Sequence, residues 1–371
     1  MKIPYQSLRK FTKSVFLKIG CSPQDAEKAT DVLLAADLRG IDSHGVARLS
    51  SYVRLWKSGR INSAPSISIV HETPSTAVID GGAGLGLVVA PKAMAIAIEK
   101  AQQVGTGWVA VNNSNHYGIA GYHAMQALEH DMIGITMTNA SPLVVPTFSK
   151  EKMLGTNPIA VAFPAGEQEP FIADLATTTA AYGKLEILQR KNSPAPIGWI
   201  QDDEGNPTQD CAAISDGGGL LPLGSDREHG SHKGYCLGAM VDIFSAVLSG
   251  ANYGPWVPPY VPFLGKKEGF VGNGIGHFFG AMRIDAFRPK KEFKTHMDRW
   301  IECFRNAKPI DPEIKVQIPG DQEREYEKVR LIGGIPIVDS VLEDLKHLAE
   351  HFDIEPEWGS NMPSDASTLE I

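Results

Sequence analysis

The hydrophobic pattern changes period at Pro65, and this switch constrains the fold more than any other feature of the sequence. Before it, apolar residues recur at helical spacing; after it, short alternating runs take over. Ser22-Pro23-Gln24-Asp25 supplies a capping hydroxyl, a proline for the first helical position and an acid for the third, so a helix starts there and stops at Gly40. From Ser43 to about Ser58, Val46, Leu49, Val53 and Trp56 mark the buried stripe of a second helix. Beyond Pro65 the spacing predicts strands at Ser66 to Val70 and Ala77 to Asp80, then an alanine-rich helix from Val88 to Val104. A strand at Trp108 to Asn112, a helix at Ile119 to Glu129 and a strand at Ile133 to Thr138 continue a βαβ rhythm. Further strands are expected at Pro158 to Pro164, Phe171 to Leu175 and His277 to Phe287, with helices at 291–306, 321–331 and 338–352. Tyr235 to Leu248 is apolar enough to predict a central buried helix. Ser193 to Gly224, rich in Pro, Gly, Asp and Asn, predicts loops rather than packed structure, and the last dozen residues predict a disordered tail. Asn252 to Phe270, crowded with prolines and aromatics, cannot be regular structure; it is a lid or an anchored surface loop.

At 371 residues the chain can bury a sizeable core, in two domains or one elaborated one. A net charge of -8 without clustered Lys and Arg argues against nucleic acid as a partner. Cys21, Cys211, Cys236 and Cys303 lie far apart with no metal-ligand spacing, so no disulfide framework or metal site is expected, and a reducing cytoplasmic setting fits. Neither a signal-peptide run nor a membrane-length apolar stretch is present in the sequence.

The turn Gly81-Gly82-Ala83-Gly84-Leu85-Gly86 invites comparison with a dinucleotide fingerprint, but its third glycine would fall on Leu87 or Val89, and no acid follows at the required distance. These glycines are expected to serve a tight strand-to-helix turn. Phosphate-loop, zinc-protease and serine-hydrolase motifs are missing from the sequence. Ser43 and His44, as helix neighbours, would point about a hundred degrees apart and make a poor nucleophile and base pair.

His44, Arg48 and Tyr52 are spaced by four residues, so a helix would show an imidazole, a guanidinium and a phenol along one line. Arginine grips carboxylates through paired hydrogen bonds, and histidine exchanges protons near neutrality, which suits a small-acid substrate; a solvated helix face is the plain alternative. His116, in the loop Asn112-Asn113-Ser114-Asn115-His116-Tyr117-Gly118 between a strand and a helix, is a second acid/base candidate or a polar-loop bridge. Asp174-Leu175-Ala176-Thr177-Thr178, a strand running into small hydroxyl residues, could approach phosphate and ribose oxygens, or Asp174 could simply cap a helix. His232 and Lys233 at the start of the long helix form a candidate anion site.

The runs Arg39-Gly40-Ile41-Asp42-Ser43-His44-Gly45-Val46-Ala47-Arg48, Asn115-His116-Tyr117-Gly118, Gly155-Thr156-Asn157-Pro158, Asp174-Leu175-Ala176-Thr177 and His232-Lys233-Gly234-Tyr235 resemble the second type of malate/L-lactate dehydrogenase, over about residues 3 to 350. Small departures are Cys236, Asp321 and Cys211-Ala212. The resemblance implies an α/β, non-Rossmann fold: a mostly antiparallel sheet flanked by helices in an NAD(P)-binding domain at 76–319, and a helical substrate-side domain from 1–75 with 320–371. It also implies a homodimer and hydride transfer between NAD or NADP and a small 2-oxo or 2-hydroxy acid. Malate is the first choice and lactate the second; reduction of cyclic imino acids, use of another oxo acid, or a non-catalytic small-acid binder are the alternatives. By resemblance, His44 or His116 gives the proton and Arg48 holds the substrate carboxylate; Ser43 and Tyr52 are further substrate-binding candidates beside them. The dinucleotide lies along Asp174, Leu175, Ala176, Thr177, Thr178, His232, Lys233 and the turn Pro319-Gly320-Asp321.

Overall fold

The computed structural model describes residues 1–358 except 191, 262, 266 and 270; the expected tail lies outside the described residues. The amino-terminal part is helical: α1 (Tyr5–Lys18), α2 (Pro23–Leu38) and α3 (Leu49–Lys57). Ser22 caps α2 by accepting the Asp25 N–H, with Pro23 at the first helical position, as the sequence predicts. α1 was not marked by the sequence reading, although Leu8, Phe11, Val15 and Phe16 form its buried stripe.

After Pro65 come β1 (Ser68–Glu72), β2 (Thr76–Asp80), α4 (Gly86–Val104), β3 (Thr106–Ser114), α5 (Ala120–Met125), β4 (Met132–Thr138), β5 (Ile159–Phe163), β6 (Phe171–Leu175), α6 (Tyr182–Arg190) and α7 (Ser231–Asp242). β7 (Ile275–Arg283), α8 (Lys290–Arg305), α9 (Asp321–Gly333) and α10 (Asp339–Phe352) complete the chain. The seven strands form one mixed sheet in the order β1-β2-β3-β7-β4-β5-β6. Only β2 and β3 pair in parallel; every other pairing is antiparallel. The βαβ rhythm is therefore split: β3 and β4 are not neighbours, because β7 arrives late in the chain and inserts between them. β7 takes the centre because its run from Ile275 to Ala281 is buried on both faces, whereas β1 is exposed throughout and ends on His71 and Glu72, suiting an edge.

Three apolar clusters result. One joins α1–α3 to Ile335, Val341, Leu345 and Leu348, so the two ends of the chain pack together, aided by pairing of Lys2–Ile3 with Ile335–Pro336. A second lies between the sheet and α4 and α5. The third corrects the reading of Ser193 to Gly224 as unpacked loops: Ala195, Ile200, Cys211, Ile214 and Leu220 are buried, and Ile200–Gln201 pairs with both Pro207–Thr208 and Gly219–Leu220. Turn residues dominate the segment's composition, but most of its sparse apolar residues are buried, with Ile197 and Leu223 left exposed. The reading of Tyr235 to Leu248 is also corrected. α7 buries its small residues, Gly234 against Leu223 and Gly238 against Thr177, and leaves Met240, Ile243, Val247 and Leu248 exposed; after Asp242 the chain continues as a π turn, Ile243–Val247.

The glycine turn after β2 does what a tight strand-to-helix turn requires. Gly82 adopts φ +60°, and the Asp80 carboxylate accepts the Gly82 N–H and the Asn113 amide, each at 2.7 Å. Gly86 begins α4 directly beneath the Asn115–His116 peptides, where a Cβ would stand 2.1 Å from the Asn115 carbonyl oxygen and 2.4 Å from that of His116. Gly86→Ala is thus expected to displace the His116 loop and to lower the unfolding free energy by about 1–3 kcal/mol, read from urea denaturation. An unchanged midpoint would contradict this.

Candidate active site

A cavity between the helical part and the sheet is lined by His44, Arg48, His116, Tyr117, Thr138, Ser141, Thr156, Tyr182, Tyr260 and Val261, among others. His44 and Arg48 reach it by a route different from the single helix expected. Asp42–His44 and Val46–Arg48 are separate 3-10 turns broken at Gly45, and the α-helix begins only at Leu49. The break has a cause in packing: the buried Asp37 carboxylate accepts the Val46 N–H at 2.8 Å and fills the space where a Cβ on Gly45 would sit. α9 holds the turn from outside, through Arg330 bonded to Asp42 and the Asp37 carbonyl, and through Tyr326 packed over Gly40.

The break also overturns the expectation for Ser43 and His44. Freed from α-helical geometry, Ser43 Oγ stands 2.9 Å from His44 Nδ1. Tyr52 Oη is 2.6 Å from His116 Nδ1, and the Gly118 N–H points at the same nitrogen from 3.4 Å. An amide N–H can only donate, so Nδ1 of His116 is an acceptor and the neutral ring carries its proton on Nε2. The two imidazoles stack 5.7 Å apart at 25°. Each bonds the protein through Nδ1, leaving Nε2 without a protein partner among the described residues.

Burial, reinforced by the Arg48 charge, lowers His44 to about 4; burial, then His44 and Arg48, holds His116 well below the ordinary imidazole range. Both rings are neutral at neutral pH. Burial works against the Arg48 charge, but Glu186 on α6, 2.7 Å away, together with Tyr260 and Tyr52, outweighs it, and Arg48 Nε donates to the Ser43 carbonyl at 2.6 Å. Glu186 and Tyr182 escaped the sequence reading, although Tyr182, Leu185 and Leu188 carry the three-residue spacing of a helix face. Gly183 lets α6 close over Ser43 and Arg48.

The candidate dinucleotide residues occupy a different face. Asp174 and Leu175, at the exposed end of edge strand β6, share a cleft with Pro319 and Gly320; the Pro319 carbonyl accepts the Ile172 N–H. The Asp174 carboxylate accepts the Gly121 N–H at 2.6 Å. Asp321 does not line this cleft, because its carboxylate is taken up by Arg305, Arg324 and the Ile318 N–H. Beyond Ala176, Thr177 and Thr178 are buried and spend their hydroxyls on the carbonyls of Thr156, Asn157 and Ala180. Leu223 connects this strand end to α7: its N–H bonds the Thr177 carbonyl and its backbone packs on Gly234. At the start of α7, His232 contacts Arg227 while Lys233 is exposed. Left-handed glycines at 230 and 320 begin α7 and α9, the cleft at Asp174 and Leu175 opens beside the second, and Lys233 is exposed at the first; these are the donors and the open space that an extended cofactor would use. Asn157, buried at φ +36°, is structural, tying the Ala140 N–H to the Gly238 carbonyl. Among the described residues, no helix is long and apolar enough to cross a membrane and no group of side chains could hold a metal ion.

A guanidinium and two imidazoles meet at one cavity, and such groups can pair with a carboxylate and exchange protons. The profile of the malate/L-lactate dehydrogenase family matches residues 3–346. A malate dehydrogenase of Pyrococcus abyssi is 44% identical over 96% of both chains, and an L-sulfolactate dehydrogenase of Methanocaldococcus jannaschii is 39% identical over 94% of this chain and 96% of its own. The solved malate dehydrogenase of Entamoeba histolytica superposes with a TM-score of 0.90 at 34% identity, covering 96% of this chain and 99% of its own. The chain belongs to the malate/L-lactate dehydrogenase family. It is an oxidoreductase of 2-hydroxy acids.

With both rings held neutral by burial, the C2–H proton signals of His44 and His116 should stay at neutral-ring shifts as pH falls from about 8 to about 5.5. NMR titration of the free protein tests this, and a transition near the ordinary imidazole pKa would contradict it.

Proposed function

We propose that the protein interconverts a small 2-oxo acid and its 2-hydroxy acid, with oxaloacetate and malate as the first choice and pyruvate and lactate as the second. The observation that carries this reading is the meeting of Arg48, His44 and His116 at one cavity, each imidazole without a partner at Nε2 among the described residues. Arg48 grips the substrate carboxylate, and Glu186 and the Ser43 carbonyl keep the guanidinium charged and oriented. His116 donates its Nε2–H to the substrate carbonyl oxygen and polarises it. His44 moves the proton, because the Ser43 hydroxyl can accept from or donate to Nδ1 and so serves both protonation states. Protonating His116 at Nδ1 would instead face a donor against the Gly118 N–H.

A nicotinamide cofactor, when bound, supplies the hydride for C2 or receives it; NAD and NADP both suit the residues present. The carbonyl electron pair moves to oxygen, which takes a proton from His44 after that ring, neutral in the free protein, has taken one up from solvent at Nε2; in the oxidative direction neutral His44 accepts the hydroxyl proton and returns it to solvent. Asp174, Leu175, Pro319 and Gly320 would hold one end of the cofactor, and Ala176, His232 and Lys233 the other, with the buried Thr177 and Thr178 fixing the strand end behind them and Asp321 fixing the turn between Ile318 and α9. The substrate-side unit comprises 1–75 with 320–371, its final residues lying outside those described, and the cofactor unit 76–319. The exposed stripe Met240, Ile243, Val247 and Leu248, two of which are 56% exposed, supports burial against a second copy of the chain in a homodimer. The four cysteines are unpaired, which supports a reducing, cytoplasmic setting.

One feature favours a second reading. Among the described residues Arg48 is the only permanent cation lining the cavity, with Leu143, Ala181 and Val261 on its other walls, which suits a monocarboxylate such as a cyclic imino acid. Assays at 340 nm with oxaloacetate, pyruvate and piperideine-2-carboxylate, each with NADH and NADPH, separate the readings; turnover of none would leave a non-catalytic binder.

His44→Ala and His116→Ala should each lower kcat by roughly 10²-fold or more, as expected on losing a positioned proton donor or polarising group. Near-wild-type turnover in both variants would end the proposal. Arg48→Lys should raise KM about tenfold or more and lower kcat less, since a lysine lacks the two-pronged grip; an unchanged KM contradicts the assignment.

A further inference from the structure

We infer that Tyr260 and the strap Pro258 to Val261 form a clamp that positions His116, making Tyr260 and Arg60 positioning residues for the reaction. The inference rests on the catalytic reading of His116 given above. Within Asn252 to Phe270, expected to be a lid or an anchored loop, the strap Pro258 to Val261 is anchored, while 262, 266 and 270 lie outside the described residues.

The strap is tied to the protein from three directions. Arg60 donates from Nη1 to the Pro259 carbonyl and from Nη2 to the Pro258 carbonyl at 3.1 Å, and its Nε donates to Asn115 Oδ1 at 3.1 Å. Arg54 Nη2 donates to the Tyr260 carbonyl at 2.7 Å, and Ser141 Oγ accepts the Tyr260 N–H at 2.7 Å. Consecutive prolines offer carbonyls with no N–H groups, an acceptor-only edge that matches a guanidinium fork. Burial lowers Arg60 to about 10, which still leaves it charged at neutral pH. One guanidinium therefore sets the strap and the residue before His116 in a common register. Asn115 passes that register to the glycine turn by donating from Nδ2 to the carbonyls of Ala83 and Gly84.

The result is a confined imidazole. Tyr260, only 8% exposed, stacks on His116 at 4.6 Å and 28°, and His44 lies 5.7 Å away at 25°. Tyr52 meets Tyr260 edge-on at 5.8 Å while holding His116 Nδ1, and the Tyr260 hydroxyl reaches the Arg48 carbonyl at 3.4 Å. A rotation of the His116 ring would break the Tyr52 bond and the stack together, so its Nε2 keeps one direction. The groups that face this ring are His44, Arg48 and Tyr52 from the amino-terminal segment, Arg60 beyond α3, Tyr260 from the strap, Tyr117 beside it in the chain and His277 from β7.

The test uses the full-length enzyme with Tyr260→Phe, Tyr260→Leu and Arg60→Lys, reading kcat and KM separately and following the His116 ring by NMR titration of the free protein. Tyr260→Phe keeps the stacked ring and should hold kcat within about twofold, whereas Tyr260→Leu should lower kcat about tenfold or more with a smaller change in KM. In Tyr260→Leu the His116 titration should move up toward the ordinary imidazole range as water reaches the ring. Arg60→Lys should shift both readouts in the same direction with Tyr260 itself unaltered, and it serves if Tyr260→Leu does not fold. An unmoved His116 signal, an unchanged kcat in Tyr260→Leu, or a Phe variant as damaged as the Leu variant would each overturn the clamp. If His116→Ala remains active while Tyr260→Leu still moves the His116 signal, the catalytic reading fails and the clamp survives as structure.

Discussion

The approach of α4 to the loop after β3 is the contact on which the site depends. It is possible only because position 86 carries no side chain: the helix begins against the backbone of Asn115 and His116, at distances that any Cβ would violate. That contact fixes His116 at the border of two cores, one between the sheet and α4 and α5, the other among α1–α3 and α10. Leu85, Leu87 and Val88, in the same turn of α4, belong to the helical core, so one helix start serves both. Close packing transmits small displacements, and the imidazole is accordingly sensitive to changes in either layer.

The second histidine is held by a different device. His44 lies in a turn that is kept out of α-helical geometry by a buried carboxylate, Asp37, and braced by Arg330 and Tyr326 from α9. Burial raises Asp37 well above the ordinary carboxylate range, so the brace is a hydrogen-bonding group more than a charge. The carboxyl-terminal helices thus help to shape a site whose side chains come from near the amino terminus. The same physics that confines the two imidazoles lowers their proton affinity, so the free protein presents neutral rings beside a guanidinium kept charged by Glu186.

Much of this was legible in the residues. The helical opening, the strands after Pro65, the capping at Ser22 and the tight strand-to-helix turn at Gly81 to Gly86 all correspond to local chemistry that sequence spacing reports directly. The chemistry-bearing residues His44, Arg48, Tyr52 and His116 also stood out, as did the family resemblance. Less visible were Glu186, on a helix embedded among turn-forming residues, and Tyr260, in a proline-rich stretch whose only local message was irregularity. The exposed side of α7 was misread because apolar content says that a helix is covered, not whether its own chain covers it.

By itself the sequence determined which segments could be helix or strand and which side chains could exchange protons or grip a carboxylate, because those properties depend on neighbours a few positions away. The tertiary structure decided that β7 would enter the middle of the sheet, that His44 and Arg48 would stand on short turns outside the helix of Tyr52, and that Tyr260 would stack on His116. Each of these follows from contacts between residues far apart in the chain, where burial, close backbone approach and the pairing of a guanidinium with distant carbonyls outweigh local preference.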